Sequence, residues 1–198
     1  MSYEQNRRII YIALGSNATD SPIKSAQLLR SAVLQITSAI GNIYKSSNIF
    51  QTPCFPRGAG PDFANSVVAV ETDLPVADVL ERLHQIEAEF GRERLVRWGQ
   101  RTLDLDLLAD GDLVLPDRST FLEWKDLPLS QQLSKAPDQL ILPHPRIQDR
   151  AFVLVPWAEI EGGWLHPVLG KTVMEMCAAL SDEDRAEVRP IPGEAAEK

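Results

Sequence analysis

A strand of alternating leucine and aspartate follows a cluster of arginines in this chain. The stretch RWGQRTLDLDLL runs from Arg97 to Leu108 and contains Asp104 and Asp106. Aspartate is depleted in β-strands, and two carboxylates on one face of a strand repel each other. Something must offset that cost, so the two aspartates are candidates for chemistry.

The spacing of the two aspartates suits a metal-phosphate site. Alternation along a strand places Leu103, Leu105 and Leu107 on one face and both aspartates on the other. Their α-carbons then lie roughly 6.6 Å apart. Carboxylates at this spacing can hold a pair of Mg²⁺ ions about 3.5–4 Å apart, as in two-metal phosphoryl chemistry. A DxD pair alone is a weak signal, because exposed strand faces often carry one.

The arginine cluster strengthens that interpretation. Four arginines fall within ten residues of an acidic chain, namely Arg92, Arg94, Arg97 and Arg101. The planar guanidinium fork suits phosphate oxygens, and Gly91 and Gly99 indicate a loop. Alternatively, the arginines could form a charged surface segment that pairs with Asp and Glu side chains. That interpretation would be preferred if the DxD strand did not follow.

A glutamate in the preceding helix is also unusual. The apolar face of the helix predicted from Pro75 to Gly91 is defined by Val76, Val79, Leu80, Leu83, Ile86 and Phe90. Glu87 falls in the middle of this face, where an unpaired carboxylate would be costly. Either Glu87 supports a ligand site, or it forms a structural ion pair with an arginine such as Arg92 or Arg94.

Hydrophobic patterns predict the elements that position these residues. Ser21 or Asp20 can cap a helix that starts at Pro22 and stops at Gly41. The predicted strands are 8–14, 42–50, 63–72 and 102–109, with a partner for the last at 112–116, and a short helix is predicted at 173–180. This order indicates an α+β sandwich, with helices packed on a largely antiparallel sheet. The Pro- and Gly-rich loop 51–62 is long enough to be functional.

Length and composition set limits on the class of protein. The 198 residues suit a single domain over 1–180, a long and poorly periodic segment at 117–139, and a flexible charged tail at 181–198. A net charge of −8 argues against a general nucleic-acid binder. The two cysteines form no disulfide framework, and the N-terminal apolar run is too short for a signal peptide or a membrane span. We therefore expect a soluble cytoplasmic protein.

Together, the blocks YIALGSN, TP…PDFANSVV, IEAEFGRERLVRWGQRTLDLDLL and LPHPR…RAFVLVPWAEI resemble the 6-hydroxymethyl-7,8-dihydropterin pyrophosphokinases of folate biosynthesis. The resemblance covers roughly Ile9 to Pro167. It implies a ferredoxin-like α/β sandwich that transfers pyrophosphate from ATP to the pterin hydroxymethyl group and releases AMP. It also implies two Mg²⁺ ions. No obligate protein partner is evident from the sequence, and we expect a monomer.

The resemblance assigns roles on the nucleotide side. Asp104 and Asp106 would ligate Mg²⁺, and Arg92 and Arg101 would assist transfer as mobile phosphate contacts. The remaining residues implied near ATP are Glu87, Arg94, Arg97, Trp98, Leu107, His144 and Arg150. Three positions depart from the family pattern, namely His84, Gln100 and Pro145.

The resemblance also implies a pterin pocket. Phe63 and Phe152 would sandwich the flat ring, and Asn65 would bond to its polar rim, which is how a pocket holds a heterocycle. Thr52, Pro53 and the backbone around Phe55 would bind the pterin edge, while Trp98 and Asp104 would border it.

Simpler interpretations remain open at several of these positions. Phe63 and Phe152 could be core residues of strands, and His144, between two prolines, could cap a turn. Trp124 and the two later tryptophans are expected to be packing residues. For the whole protein, the alternatives are a two-metal nuclease or phosphohydrolase and a catalytically idle binding homologue.

The arginine assignment leads to a first prediction. If Arg101 meets the phosphates only as charge shifts during transfer, Arg101→Ala should lower kcat about a hundred- to a thousandfold, as loss of an oxyanion donor does, with little change in ATP affinity. Steady-state kinetics together with equilibrium ATP binding would measure both quantities. Loss of ATP affinity at unchanged kcat would identify Arg101 as a binding clamp instead.

Overall fold

A computed structural model of the chain describes residues 7–18, 21–54, 57–58, 60–91, 102–128, 131 and 135–192. Its strands are β1 (Arg8–Ser16), β2 (Asn42–Ser46), β3 (Phe50–Thr52), β4 (Phe63–Thr72), β5 (Asp104–Asp110) and β6 (Arg189–Pro190). Its helices are α1 (Pro22–Ala39), α2 (Val76–Glu89), α3 (Arg118–Lys125), α4 (Ala151–Glu161), α5 (Val173–Ala179) and α6 (Asp182–Ala186), with a 3-10 turn at Ile147–Asp149.

These strands form one antiparallel sheet. Its order is β5-β1-β4-β3-β6, and β2 also pairs with β4. Strand β5, which carries the two aspartates, therefore lies at an edge of the sheet in the described part of the chain. The predicted α+β fold, a largely antiparallel sheet flanked by helices, is confirmed.

The sheet has helices on both faces. Helices α1 and α2 cover one face, where Ile12, Leu14, Val68 and Leu105 join one buried cluster. Helix α4 covers the other face, where Trp157 and its neighbours pack on Tyr11, Val67 and Ala69. Side chains of β5 therefore alternate between an apolar core and the α4 side.

The limits of α1 follow from local chemistry. The Ser21 side chain accepts a hydrogen bond from the Lys24 N–H, and Pro22 occupies the first turn. Beyond the helix, a β-carbon on Gly41 would lie 2.2 Å from the carbonyl oxygen of Glu71. Only glycine fits this close approach, so both the predicted cap and the predicted stop are confirmed. No helix within the described ranges is long and apolar enough to cross a membrane.

Three predicted strands differ from the structure. The stretch 42–50 forms two strands, β2 and β3, because Ser47 interrupts the ladder between them. The Ser47 N–H donates to the Val67 carbonyl oxygen, and the Ser47 hydroxyl oxygen accepts the Val67 N–H. The predicted strand 112–116 is wrong, since only Leu115 pairs, with Leu142. The interpretation of Phe152 as a strand residue is also wrong, because Phe152 lies in the first turn of α4.

The segment 117–139 contains a helix that periodicity did not reveal. The Asp117 carboxylate caps α3 by accepting the Thr120 N–H, and Arg118 donates to the carbonyl oxygen of Val168. Phe121 is fully buried and packs with Ile141 and Val168. A small cluster of its own therefore holds this helix against the rest of the chain.

The residues described after 180 contain regular structure within the segment expected to form a charged tail. Helix α6 begins at a Ser181 cap, and β6 pairs with β3 at the far edge of the sheet. Ile191 donates its N–H to the carbonyl oxygen of Ile49 and is buried in the main core. Apolar Val188 and Ile191, embedded in a charged sequence, are what hold this segment in place.

A buried histidine links α3 to the rest of the fold. His166 packs edge-on against Phe121 and Trp164, at ring-centroid distances of 5.2 and 5.5 Å. Its Nδ1 accepts the N–H groups of Val168 and Leu169. Burial lowers the pKa of His166 to about 4, so the ring is neutral in the folded protein at pH 7.

We predict that this histidine makes the protein sensitive to acid. An unfolded histidine has a pKa near 6.5, so the unfolded chain binds a proton that the folded chain excludes between pH 6.5 and about 4. The stabilising contribution is complete above pH 6.5 and is lost as the pH falls through this window, by about 3 kcal/mol in total. Urea denaturation at several pH values would measure it. The variant His166→Asn, whose side-chain oxygen can replace Nδ1 as acceptor, should show a shallower pH dependence; equal slopes would contradict the assignment.

Candidate active site

The strand register brings the two predicted subsites together on the α4 side of the sheet. Gly15 in β1 lies opposite Asn65 of β4 on one side and opposite Asp104 of β5 on the other. Neighbouring strands are about 4.8 Å apart, so the α-carbons of Asn65 and Asp104 lie about 10 Å apart across this glycine. A β-carbon at Gly15 would approach the Asn65 side-chain oxygen to 3.2 Å. Glycine therefore leaves the floor open between the two side chains.

The predicted pterin residues in β3 and β4 form one polar corner. Asn65 donates its side-chain N–H to Thr52 Oγ1 over 2.7 Å, and both side chains are buried. Thr52 pairs with Phe63, which is half-buried on the same face of the sheet. The partner expected for a buried asparagine is therefore Thr52, which fixes the orientation of the amide beside the open floor.

Phe152 lies at the start of α4 rather than in the core. Its side chain is 39% exposed, and the Arg150 guanidinium lies 5.7 Å from its ring centroid. Among the described residues, Phe63 and Phe152 make no ring contact with each other. An exposed aromatic on a short helix turn is not explained by packing, so the core interpretation does not hold for Phe152.

Hydrogen bonds brace the loop after β3 at its base. Gln51 donates to the Asp62 carboxylate over 2.7 Å, which ties the two ends of the loop together. Cys54 Sγ donates to the carbonyl oxygen of Gly60, and the Gly60 N–H approaches the same sulfur at 3.3 Å. These bonds give Cys54 a structural role next to Pro53.

Arg150 offsets part of the charge on β5. Its guanidinium forms an ion pair with the Asp106 carboxylate at 3.1 Å, and both side chains are partly exposed. Arg150 is also the N-cap residue of α4, which begins at Ala151. Repulsion between the two aspartates is therefore relieved by the protein itself before any metal binds.

His144 both stabilises a turn and faces the aspartates. Its backbone N–H donates to Leu108 of β5, and its Nδ1 accepts the Arg146 N–H at 3.1 Å. Burial and the positive charge of Arg150 lower the pKa of His144 to about 4. Because Nδ1 is an acceptor, we assign the proton of the neutral ring to Nε2, which can donate one hydrogen bond.

Glu87 is bound to the edge strand. Only 2% of its surface is exposed, and its Oε1 accepts the backbone N–H of Leu105 at 2.8 Å. This bond joins α2 to β5 through the edge that, among the described residues, pairs with no other strand. The predicted arginine partners of Glu87, Arg92 and Arg94, lie outside the described residues.

A cavity of about 490 Å³ runs along this open edge of β5. Its wall includes every described residue predicted near the nucleotide, namely Glu87, Asp104, Asp106, Leu107, His144 and Arg150. The sequence pattern did not predict the wall supplied by α3 and the segment that follows it, which includes Trp124, Lys135 and Gln139–Ile141. This region shows little periodicity, and its aromatic residues were the available signal.

Six predicted site residues lie outside the described part of the chain. They are Phe55, Arg92, Arg94, Arg97, Trp98 and Arg101. Their roles in phosphate and pterin binding stay predictions.

We predict that the contact between Glu87 and Leu105 stabilises the site. Glu87→Leu would leave the buried Leu105 N–H without this acceptor, which should lower the free energy of unfolding by about 1–3 kcal/mol. Glu87→Gln keeps a side-chain carbonyl and should lose less. Urea denaturation would compare both with Glu89→Leu, an exposed control on the same helix. Equal stability of Glu87→Leu and the control would contradict the structural role.

Comparison with known proteins supports the family resemblance seen in the sequence. The family model for 7,8-dihydro-6-hydroxymethylpterin-pyrophosphokinase matches residues 11–162. Three relatives bear the name 2-amino-4-hydroxy-6-hydroxymethyldihydropteridine pyrophosphokinase. The Synechocystis protein is 40% identical over 116 residues, which cover 59% of this chain and 49% of the relative. The Bacillus subtilis protein is 37% identical, and the match covers 77% of this chain and 77% of the relative. The Pseudomonas aeruginosa protein is 34% identical, and the match covers 93% of this chain and 97% of the relative.

Solved structures agree on the fold. A crystal structure of an HPPK-DHPS in complex with substrates superposes with a TM-score of 0.63 at 14% identity, covering 87% of this chain and 43% of that one. A Plasmodium falciparum HPPK-DHPS triple mutant with pteroate gives 0.62 at 13% identity, covering 89% and 44%. The chain thus spans less than half the length of these two structures. With the family model covering most of the chain, the chain belongs to the 7,8-dihydro-6-hydroxymethylpterin-pyrophosphokinase family.

Proposed function

We propose that this chain transfers the β,γ-pyrophosphoryl group of ATP to the hydroxymethyl oxygen of 6-hydroxymethyl-7,8-dihydropterin in folate biosynthesis. The observation that carries the proposal is the register around Gly15, which supports an acceptor subsite and a phosphate subsite side by side on one face of the sheet. Transfer forms the bond between the hydroxymethyl oxygen and the β-phosphorus. It breaks the bond between the β-phosphorus and the oxygen that bridges the α- and β-phosphates, and this oxygen leaves with AMP.

The acceptor subsite would hold the flat pterin between aromatic faces. Phe152 is exposed on α4, and Phe63 is half-buried on β4, so both rings are available for stacking. The Asn65 amide, oriented by Thr52, offers hydrogen bonds at the polar rim. In this arrangement, Gly15 would let the hydroxymethyl arm lie over the floor towards Asp104.

The donor set of β5 fits magnesium. Asp104 and Asp106 are partly accessible carboxylates on one strand face, and Mg²⁺ is usually held by one or two carboxylates together with substrate phosphates. Within the described ranges, no group of three or more His, Cys, Asp or Glu side chains forms a dedicated metal cage. Asp104 and Asp106 would therefore hold Mg²⁺, two ions by analogy with the family. Bound Mg²⁺ would neutralise the charge of the phosphates.

The remaining polar groups would position the phosphates. Neutral His144 can donate from Nε2, and Arg150 can exchange part of its pairing with Asp106 for a phosphate oxygen. Arg92 and Arg101 would complete the positive surroundings. Positioning and charge neutralisation carry most phosphoryl transfers, so the hydroxyl proton can leave to solvent without a dedicated strong base.

Other parts of this proposal concern the state of the protein. We propose that it works as a monomer in the cytoplasm. Neither Cys54 nor Cys177 forms a disulfide, which is consistent with a reducing compartment.

One assay separates the proposed reaction from its rivals. The protein is incubated with ATP, Mg²⁺ and 6-hydroxymethyl-7,8-dihydropterin, and the nucleotide products are resolved. Release of AMP that depends on the pterin supports pyrophosphoryl transfer. Formation of ADP or phosphate would indicate a phosphohydrolase, and absence of product with retained binding would indicate an idle homologue.

We predict that the charge of Asp104 is required for turnover but not for folding. Asp104→Asn keeps the size of the side chain and removes a ligand for the metal, so kcat should fall at least about a hundredfold, equivalent to several kcal/mol of charge stabilisation. The melting temperature should hold or rise, since repulsion with Asp106 is removed. Asp112→Ala, an exposed aspartate two residues beyond β5, is the matched control and should keep full activity. Near-normal turnover of Asp104→Asn at saturating Mg²⁺ would contradict the metal assignment.

A further inference from the structure

We propose that Trp124 forms the aromatic wall of a subsite for the purine base of the nucleotide substrate. The inference rests on the proposed function, and it assigns a residue of the 117–139 segment that both the resemblance and the sequence pattern left as packing. In this interpretation, the segment contributes specificity to the site rather than only covering an edge of the sheet.

Trp124 lies where it can face a ligand. It is half-buried at the end of α3 and lines the cavity that also contains Asp104 and Asp106. Its other side packs against the cluster formed by Phe121, Ile141 and Val168. Among the described residues, no hydrogen bond to its indole N–H is present.

One end of the cavity is charged, and Trp124 and Ile141 also line its wall. Asp106, Arg150 and His144 are close together at the charged end, as their ion pair and coupled charges show. Ile141 lies three residues before His144, so at most about 10 Å of chain separates the two residues. Ile141 contacts the cluster on which Trp124 packs. A nucleotide with its phosphates at the aspartates would therefore extend its base towards Trp124.

The opposite wall can bind the edge of a base. The Leu105 N–H is directed out of the sheet towards Glu87. Leu107, two residues further along β5, also lines the cavity. A purine edge carries both donors and acceptors, and it can bond to this strand edge while its face stacks on the indole.

The position of Trp124 is held firmly enough for a specific contact. Asp117 caps the helix, Arg118 bonds to Val168, and buried Phe121 packs on His166. A tryptophan fixed in this way loses little freedom when a base stacks on it. Stacking of one base on an aromatic side chain corresponds to about a ten- to hundredfold gain in affinity.

The test uses the full chain and a non-hydrolysable ATP analogue with Mg²⁺, titrated by calorimetry. Trp124→Leu keeps an apolar side chain on the cluster but removes the aromatic face, so affinity for the analogue should fall about ten- to hundredfold. Trp124→Phe should recover most of the loss. In steady-state assays, KM for ATP should rise for Trp124→Leu, while kcat and the pterin affinity stay within about twofold of the unsubstituted protein.

Leu122→Ala is the control for packing. Leu122 lies on the same helix and packs on the same cluster, but it does not line the cavity. Its nucleotide affinity should stay unchanged. The inference is overturned if Trp124→Leu binds the analogue normally, if Trp124→Phe is as weak as Trp124→Leu, or if Leu122→Ala is equally weakened. Failure of the unsubstituted protein to release AMP would instead overturn the proposed reaction, and calorimetry would still test the base subsite.

Discussion

The structure depends on keeping two carboxylates charged, side by side, on the edge strand of a buried sheet. Asp104 and Asp106 repel each other, and neither can turn into the core formed by Leu105 and Leu107 on the opposite face. The Arg150 guanidinium pairs with Asp106 and offsets part of this charge. The negative charge that remains is suited to a cation.

The same edge strand explains why the site is a cavity rather than an open surface. An edge strand exposes backbone groups that must bond elsewhere or be covered. Glu87 binds one of them at Leu105, His144 binds another at Leu108, and the segment that carries Trp124 forms a further part of the cavity wall. The contacts that protect the edge therefore also help to form the cavity.

Local chemistry was readable from sequence wherever one short-range interaction decided the outcome. The Ser21 cap and the helix that carries Glu87 were predicted because each depends on neighbours within a few residues. The Gly41 stop was predicted as well, although a contact with distant Glu71 is what requires glycine there. Predictions failed where contacts between residues distant in sequence determined the structure. The stretch around Leu115 was expected to be a strand, but it pairs at one residue only, and the residues after 180 are held by burial of Ile191 beneath β3.

The sequence by itself determined the antiparallel α+β fold, the alternation that directs Asp104 and Asp106 to one face, and the family, because these depend on periodicity and on local motifs. Only the tertiary structure decided which residues share the site. Asn65 and Asp104 are separated by 39 positions along the chain, and they meet across Gly15 through strand register. Trp124 reaches the cavity because α3 packs on its own small cluster. Such contacts depend on the packing of distant elements, which no local pattern encodes.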